Sequence, residues 1–559
     1  MHRFLIATLL CLGLVALAGR TEAQYIKVIA GYLPAGQSNT FYPRVPNNSA
    51  LDTLYRIGGT YSVAGTLNIM EGAEVEFMPN SRIVDSSGGQ IIANGFAGLQ
   101  RRILFRGQFV NSSSIEWGHF LILPGAGQTL FANCRFTKFR KDNTVDNKLI
   151  YGVGATDAAN SVAITNMSNG VGAVITTFSA LTEIYDAIVD SCQTSYRGGA
   201  FAFLQAPLQS YFPNDDGRIA LQNSHVRRLI IRDTRAYNTH AADPNTYGGA
   251  IYMASRTESL TPGYFIAGYL GNRPGPFFPA SQDVMVFERC TAVNTNSAAG
   301  QLAKGGAIYV GSNTGLTLNT VRFTNDSAIA ASGDLNAWGG AIAVHRTDAN
   351  PNFQFSGPSI PIGSDKLPGL AIIRQATFDG NVAGLGGAIN LDFTIGGIPP
   401  ALNVDAENRN LSTGVRDSGL IQFINNVAYR QGGAVWTGGP SYYTGYLAPQ
   451  NFNWPGGNRA VELRVKFMNN VAGVAGGSIY MSPQGTPDIQ NRRVWHEMNS
   501  VNPMDSRVNR PTLTTSVLGG GAEYVGLRDS TFSTEYHGNF VIGGSGGAVA
   551  MNEPQGFTG

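Results

Sequence analysis

Nine times along this chain a Gly-Gly pair is followed by Ala or Ser, the pairs starting at Gly198, Gly248, Gly305, Gly339, Gly386, Gly432, Gly476, Gly520 and Gly546. From Gly339 to Gly520 they recur at 47, 46, 44 and 44 residues; outside that block the gaps are 50, 57, 34 and 26. A second motif precedes the pairs: FDGN at Phe378, FINN at Phe423 and FMNN at Phe467. Asp326 takes the Asn place in FTND, and Tyr536 takes the Phe place in YHGN. Self-similarity at a fixed period means one structural unit stacked many times, and this limits the fold more than any other feature.

The unit is made of strands. In VELRVKF, Val461, Leu463, Val465 and Phe467 share one side and Glu462, Arg464 and Lys466 the other, the period of a half-buried strand. GLIQF and TVRF repeat the pattern, and GTLNIMEGAEVEF alternates on both sides of Gly72. No segment after the first two dozen residues sustains a helical period. Short strands, a period and many turns fit a propeller, a sandwich array or a parallel β-helix. A propeller blade needs hairpin-joined strands, and hairpin signals are sparse, so the expected fold is a right-handed parallel β-helix. With about 20–25 residues per coil, the 44–47 spacing implies about two coils per motif. The chain would then hold on the order of twenty coils at most, a rod under about 100 Å long.

Each motif residue then has a place. Phe423 points inward and stacks on its counterparts. Asn426 forms the bend behind it, because Asn tolerates a left-handed backbone, and stacked asparagines bond one another along the axis. Gly432 and Gly433 make a second bend, Ala434 fits its cramped inside, and Val435 returns to the core. These motifs are scaffold. Cys134, Cys192 and Cys290 each end a strand-like run and are expected as buried, stacked thiols.

Intact GGAI at Gly248, Gly305, Gly339 and Gly386, with the Phe-x-x-Asn partners, resembles the repeats of the polymorphic outer membrane proteins, chlamydial-type adhesins and autotransporters. The match covers about residues 190–552, and Tyr61 to Phe139 looks like a generic β-helix start. The resemblance implies a right-handed β-helix passenger with a surface and adhesive role. The membrane barrel of typical autotransporters is not carried over, and the stop at Gly559, with a strand barely begun, reads as a fragment or a stack capped by something else. The organisation expected is a signal peptide (1–23), an N-terminal cap region (24–60), N-terminal β-helix coils (61–190) and the GGAI/FxxN-repeat β-helix (191–559).

His2, Arg3 and the apolar run Phe4 to Ala18 read as a secretory signal, too short to span a membrane. The chain is therefore expected to be secreted or at the cell surface, with no transmembrane segment. Five N-x-S/T sequons, at Asn47, Asn111, Asn166, Asn325 and Asn410, are candidate N-glycosylation sites. A formal charge of +2 without a basic stripe argues against nucleic acid as a partner.

Function should lie in insertions, since scaffold motifs do not specify it. Long inserts follow the Gly-Gly strands at Ser255–Asp283, Asp348–Pro368, Phe393–Ser418, Gly438–Asn458 and Ser482–Thr512, and should leave one corner as a ridge. Two are rich in rings, with Tyr264 and Tyr269 in one and Tyr442, Tyr443 and Trp454 in the other; these are the candidate contacts for an extracellular glycan or protein ligand. The rival reading is a polysaccharide lyase or hydrolase on the same fold. Such sites gather acids with a Lys or Arg. The only adjacent acid pair, Asp215-Asp216, sits in PNDDGR and reads as a turn, while the NTD, GHG and RIK strings of polygalacturonases are absent. No H-x-x-x-H or C-x-x-C occurs, so no catalytic residue, metal ligand or cofactor is assigned. The functional expectation is adhesion or structural binding without catalysis.

Overall fold

The computed structural model describes residues 25–45, 52–96, 101–108, 116–123, 125–141, 171–177, 179, 182–195, 197–205, 212–213, 219–220, 225–238, 245–255, 263–267, 285–311, 314–318, 321–344, 370–373, 376–391, 401–404, 407–409, 416–418, 421–437, 443–444, 465–481, 490–492, 494–508, 519–525, 530–532, 535–544 and 546–551. Residues 1–23, read above as a secretory signal, and Gly559 lie outside them.

Among the described residues the chain is all-β, a solenoid-like stack of parallel ladders. From Leu370 onward each repeat gives one strand to each of four ladders, in a fixed order. Around Phe378 these are a lead strand Leu370–Ile373, a phenylalanine strand Ala376–Asp379, an arm strand Val382–Leu385 and a glycine-corner strand Ile389–Leu391. The next repeat follows with Ala401–Val404, Ile421–Ile424, Val427–Gln431 and Val435–Thr437. Lead strands form a continuous 13-stranded sheet. The phenylalanine and glycine-corner ladders merge at the N-terminal end. There the long strand Thr53–Val63 pairs through Tyr55–Ile57 with Glu74–Phe77 and through Thr60–Val63 with Arg82–Asp85. Parallel pairing begins still earlier, at Tyr25 with Thr53. Antiparallel pairs are short and peripheral, such as Glu407–Arg409 with Arg416–Ser418.

The register corrects the expected repeat count. Phe378 pairs directly with Phe423, and Phe423 with Phe467, so one 44–47-residue motif is one turn of the stack and not two. Inserts around the lead strand supply the extra length. With thirteen lead strands at about 4.8 Å each, the stack is on the order of 60 Å long.

The inward face of the phenylalanine ladder is a column of rings. Phe287, Phe323, Phe378, Phe423 and Phe467 stack at 4.7–4.9 Å with their planes within 9°. Strand spacing sets that separation, because identical rings at paired positions can only lie one above the next. Each ring is fully buried, and burial of this kind is worth about 1.5–3 kcal/mol per side chain.

Two residues past each ring the backbone turns, and the left-handed residue is not the expected one. Asn425, not Asn426, has φ of 56°, and the same column holds Lys138, Ser191, Asp233, Arg289, Asn325, Gly380, Asn469 and Met498, all at positive φ. Asn426 points inward instead and is fully buried. Its Nδ2 donates to Asn470 Oδ1 (2.9 Å) and to the Phe378 carbonyl (3.0 Å). Its Oδ1 accepts from Asn381 Nδ2 (2.9 Å) and the Asn381 backbone N–H (3.1 Å). A buried amide must have such partners, and a column of amides one repeat apart supplies them to its members. The ladder runs through Asn381, Asn426, Asn470, Asn499 and Asn539, so the axial bonding expected of the asparagines is present.

At its N-terminal end the ladder changes chemistry. Asp326 donates its backbone N–H to Asn381 Oδ1 and accepts the Cys290 N–H on Oδ1 at 2.7 Å. Its Oδ2, where an asparagine would carry Nδ2, has no hydrogen-bond partner. Burial pushes this carboxyl well above the usual range, which keeps it neutral in an amide's place. Cys290, Thr234 and Cys192 continue the column toward the N-terminus. All three cysteines are free and buried. They do not stack on one another, because Thr234 separates Cys192 from Cys290, and Cys134 lies at the other end of its phenylalanine strand, paired with Ile103.

The Gly-Gly corner closes the arm against the body. A Cβ on Gly433 would lie 1.9 Å from the Gly477 carbonyl oxygen and 2.8 Å from Val471 N. The second glycine is thus wedged between the next repeat's corner and the start of its arm, and no side chain fits. The first, Gly432, has φ of 67°. Ala434 and Val435 are buried as expected.

The segment Ser482–Thr512 is not an insertion. It contains the strands Gln490–Arg492, Val494–Glu497 and Ser500–Val501, a repeat in which His496 takes the Phe place and Asn499 the Asn place. The other inserts do not leave one corner. They flank the lead strand on both sides: Gly263–Ala267, Ala401–Val404 and Tyr443–Thr444 lie inside the segments read as loops.

One interior position makes stability depend on pH. Asp85 lies at the end of a glycine-corner strand, fully buried, with its carboxyl pushed up to about 7 by burial while Thr129 Oγ1 donates to Oδ2 at 2.7 Å and opposes the rise. Between the ordinary carboxyl value near 4 and about 7, the folded state holds a proton that the unfolded state has released. Stability therefore falls as pH rises through that interval and is flat above it. Asp85→Asn should remove this slope, a change on the order of a few kcal/mol, read as the urea midpoint across that range. An unchanged slope would show that Asp85 does not titrate there.

Candidate functional site: an aromatic seam and a polar core cluster

Two constellations among the described residues stand out chemically. The first runs along the outside of the Gly-Gly corner. The residue that follows the GGAI-type tetrapeptide points outward, and in successive repeats it is Tyr252, Tyr309, Ala343, Asn390, Trp436 and Tyr480, paired in register. Tyr252 and Tyr309 stack at 5.5 Å and 8°. Trp436 and Tyr480 stack at 6.3 Å and 8°. The residue just before each Gly-Gly pair faces this column from the arm. Tyr247 lies 4.5 Å from the Tyr309 ring, Arg197 sits over Tyr247 and Tyr252 at 5.4 and 5.5 Å, and Trp436 Nε1 donates to Gln431 at 3.1 Å. Lys304 Nζ lies 4.0 Å from the centre of the Trp338 ring, a contact worth about 0.5–2 kcal/mol.

The seam fastens arm to body. Tyr252, Tyr309 and Tyr480 are nearly buried, while Arg197, Tyr247, Trp338 and Trp436 keep part of their surface in solvent. Ring faces are used by other rings, so the seam offers edges and cations. Its signal was present in the sequence as GGAIY, GGAIY, GGAVW and GGSIY.

The second constellation is inside, where three core columns turn polar together. Ser478 replaces the Ala of its column, His496 the Phe, Glu523 the Ile and Tyr536 the Phe. His496 Nδ1 lies 2.9 Å from Ser478 Oγ, and Nε2 lies 2.9 Å from Glu523 Oε1. Tyr536 Oη donates to Glu523 Oε2 at 2.9 Å, and Ser478 Oγ donates to the Ala522 carbonyl at 2.7 Å. Ser478, His496 and Glu523 are completely buried. The His496 ring continues the phenylalanine stack, 4.9 Å above Phe467 and 5.0 Å below Tyr536. No substrate reaches a hydroxyl sealed this way, and that hydroxyl's proton is already directed to a carbonyl. Sequence reading missed the cluster because His496 hides the motif.

The sequence-derived candidates fall as follows. Tyr264 pairs with Gly315 and Tyr443 with Leu402, so both backbones belong to lead strands. Tyr269, Tyr442 and Trp454 lie outside the described residues, as do Asn47, Asn111, Asn166 and Asn410. Asn325 is exposed at the left-handed corner. Asp215-Asp216 is also outside, framed by the antiparallel pair Phe212–Pro213 and Ile219–Ala220. Among the described residues no three His, Cys, Asp or Glu side chains gather as metal ligands, and no helix is long and apolar enough to cross a membrane.

The described residues thus form an all-β repeat protein with a solenoid-like arrangement of parallel sheets. Comparison with protein-family models, curated proteins and solved structures finds no match to it.

Proposed function

We propose that this chain is a right-handed parallel β-helix, related to the polymorphic outer membrane protein repeats, that acts outside the cell as an adhesive or structural binding protein. Its repeat motifs support the family reading, and the N-terminal apolar segment supports secretion. The observation that carries the binding role is where the chain varies in length. In every repeat from Phe287 onward, two residues join the phenylalanine strand to the arm strand, with the buried ladder residue as the second. The connections flanking the lead strand range from one residue to twenty-five, as between Arg492 and Val494 and between Val344 and Leu370. Stiff corners hold the stack, and variable inserts beside one sheet present chemistry to a partner.

The ligand class is an extended extracellular glycan or a protein surface, met by ring-bearing inserts. Tyr443→Ala and Trp454→Ala should each weaken binding to the preferred member of a glycan and cell-surface panel by about tenfold, with unchanged thermal unfolding. Equal binding by both variants would remove these rings from the site. Release of reducing ends or unsaturated uronates from any polysaccharide in the panel would favour the enzyme reading instead.

A further inference from the structure

We infer that the strand Tyr25–Leu33 is a self-association edge, where a second copy of this chain adds its own Tyr25–Leu33 antiparallel and closes a head-to-head dimer. The inference is independent of the binding role. Among the described residues this strand pairs on one side only, with Thr53–Val63, and the lead strand at the same end, Ser38–Phe41, pairs only with Thr66–Met70. The outer edge of Tyr25–Leu33 therefore offers backbone N–H and C=O groups to a partner. Natural edges are commonly blunted by prolines, charges, bulges or short length. This strand has nine residues, no proline and one charge, Lys27. The irregularity in its pairing lies in the other strand, where Gly58, Gly59 and Thr60 stand against Ala30 alone.

The side chains point to the same partner. Of the twelve large apolar residues exposed among the described residues, five lie at this end: Tyr25, Ile26, Val28, Tyr32 and Tyr42, each 50–62% exposed. The surface that fits them is the same strand turned round. Antiparallel pairing about Ile29 sets Ile26 opposite Tyr32 of the second copy, Val28 opposite its Ala30 and Lys27 opposite its Gly31. Exposed apolar residues then meet twice by symmetry, and each lysine faces a glycine, so no like charges oppose one another. Such a contact consumes the edge of both copies, and growth stops at two.

Sedimentation of the whole chain over about 1–100 µM tests this, and two-chain particles should form with a Kd of about 10 µM or tighter. The variant I26K/Y32K sets lysines against lysines and should weaken association at least about tenfold, as should I26E/Y32E. Mixed in equal amounts, the two variants should pair with each other, which also shows that each is folded. Should they fail to fold, hydrogen exchange in the unmodified chain decides: protection of Tyr25–Leu33 should rise with concentration in step with the mass. A monomer at about 100 µM would overturn the inference. Protection of Tyr25–Leu33 that ignores concentration would also overturn it and give the edge to the residues before Tyr25. A dimer that I26K/Y32K leaves intact, oppositely charged variants that do not pair, or a mass that keeps rising as head-to-tail stacking demands would overturn it as well.

Discussion

Asn426→Leu should destabilise the chain by about 3–5 kcal/mol, although it places an apolar side chain of similar volume at a fully buried position. Leucine removes both halves of a relay. The Asn381 amide and backbone N–H lose their acceptor, and the Phe378 carbonyl loses its donor. Each buried orphan costs about 1–3 kcal/mol, and no water reaches them. The neighbouring Asn425→Gly should be nearly silent, within about 0.5 kcal/mol, because glycine already stands in that left-handed column at Gly380 and Gly538. Urea unfolding of the two variants side by side is the measurement. Equal effects would mean that the ladder adds nothing beyond the turn.

Gly433→Ala should be at least as damaging, about 3 kcal/mol or more, for a single methyl group. The new carbon would lie 1.9 Å from a carbonyl oxygen of the next repeat, and backbone on both sides leaves nothing flexible to yield. Gly300→Asn provides the contrast. Gly300 also has a positive φ, of 80°, but has open space around it, so asparagine there should cost about 1 kcal/mol or less. The comparison separates backbone conformation from close approach, and the thermal midpoints of both variants report it. A tolerated Gly433→Ala would show that adjacent corners can part without cost.

Much of this architecture was legible in the residues. Alternation at Val465 and Phe467 announced strands, and three spaced Phe-x-x-Asn motifs announced a stack with Phe423 inside it. The legible part is what depends on side-chain period, since burial selects apolar residues two apart. Other features were hidden for definite reasons. The period was read as two turns because sequence distance cannot separate chain spent in the stack from chain spent in inserts. Asn426 was placed at the bend because asparagine suits both a left-handed corner and a buried ladder; only its neighbours' geometry distinguishes them. The repeat at His496 passed for a loop because an imidazole stacks like a phenyl ring but does not look like one in a motif.

The sequence alone determined that short strands repeat, which face of each is apolar, and which corners demand glycine, because these follow from local sterics and from transfer out of water. Tertiary structure decided the register, one turn per motif, and with it which side chains meet across repeats. Hydrogen bonds among Asn381, Asn426 and Asn470, the stacked rings of Tyr252 and Tyr309, and the contact of His496 Nδ1 with Ser478 Oγ exist only between residues that stacking brings within reach. No separation along the chain could have specified them.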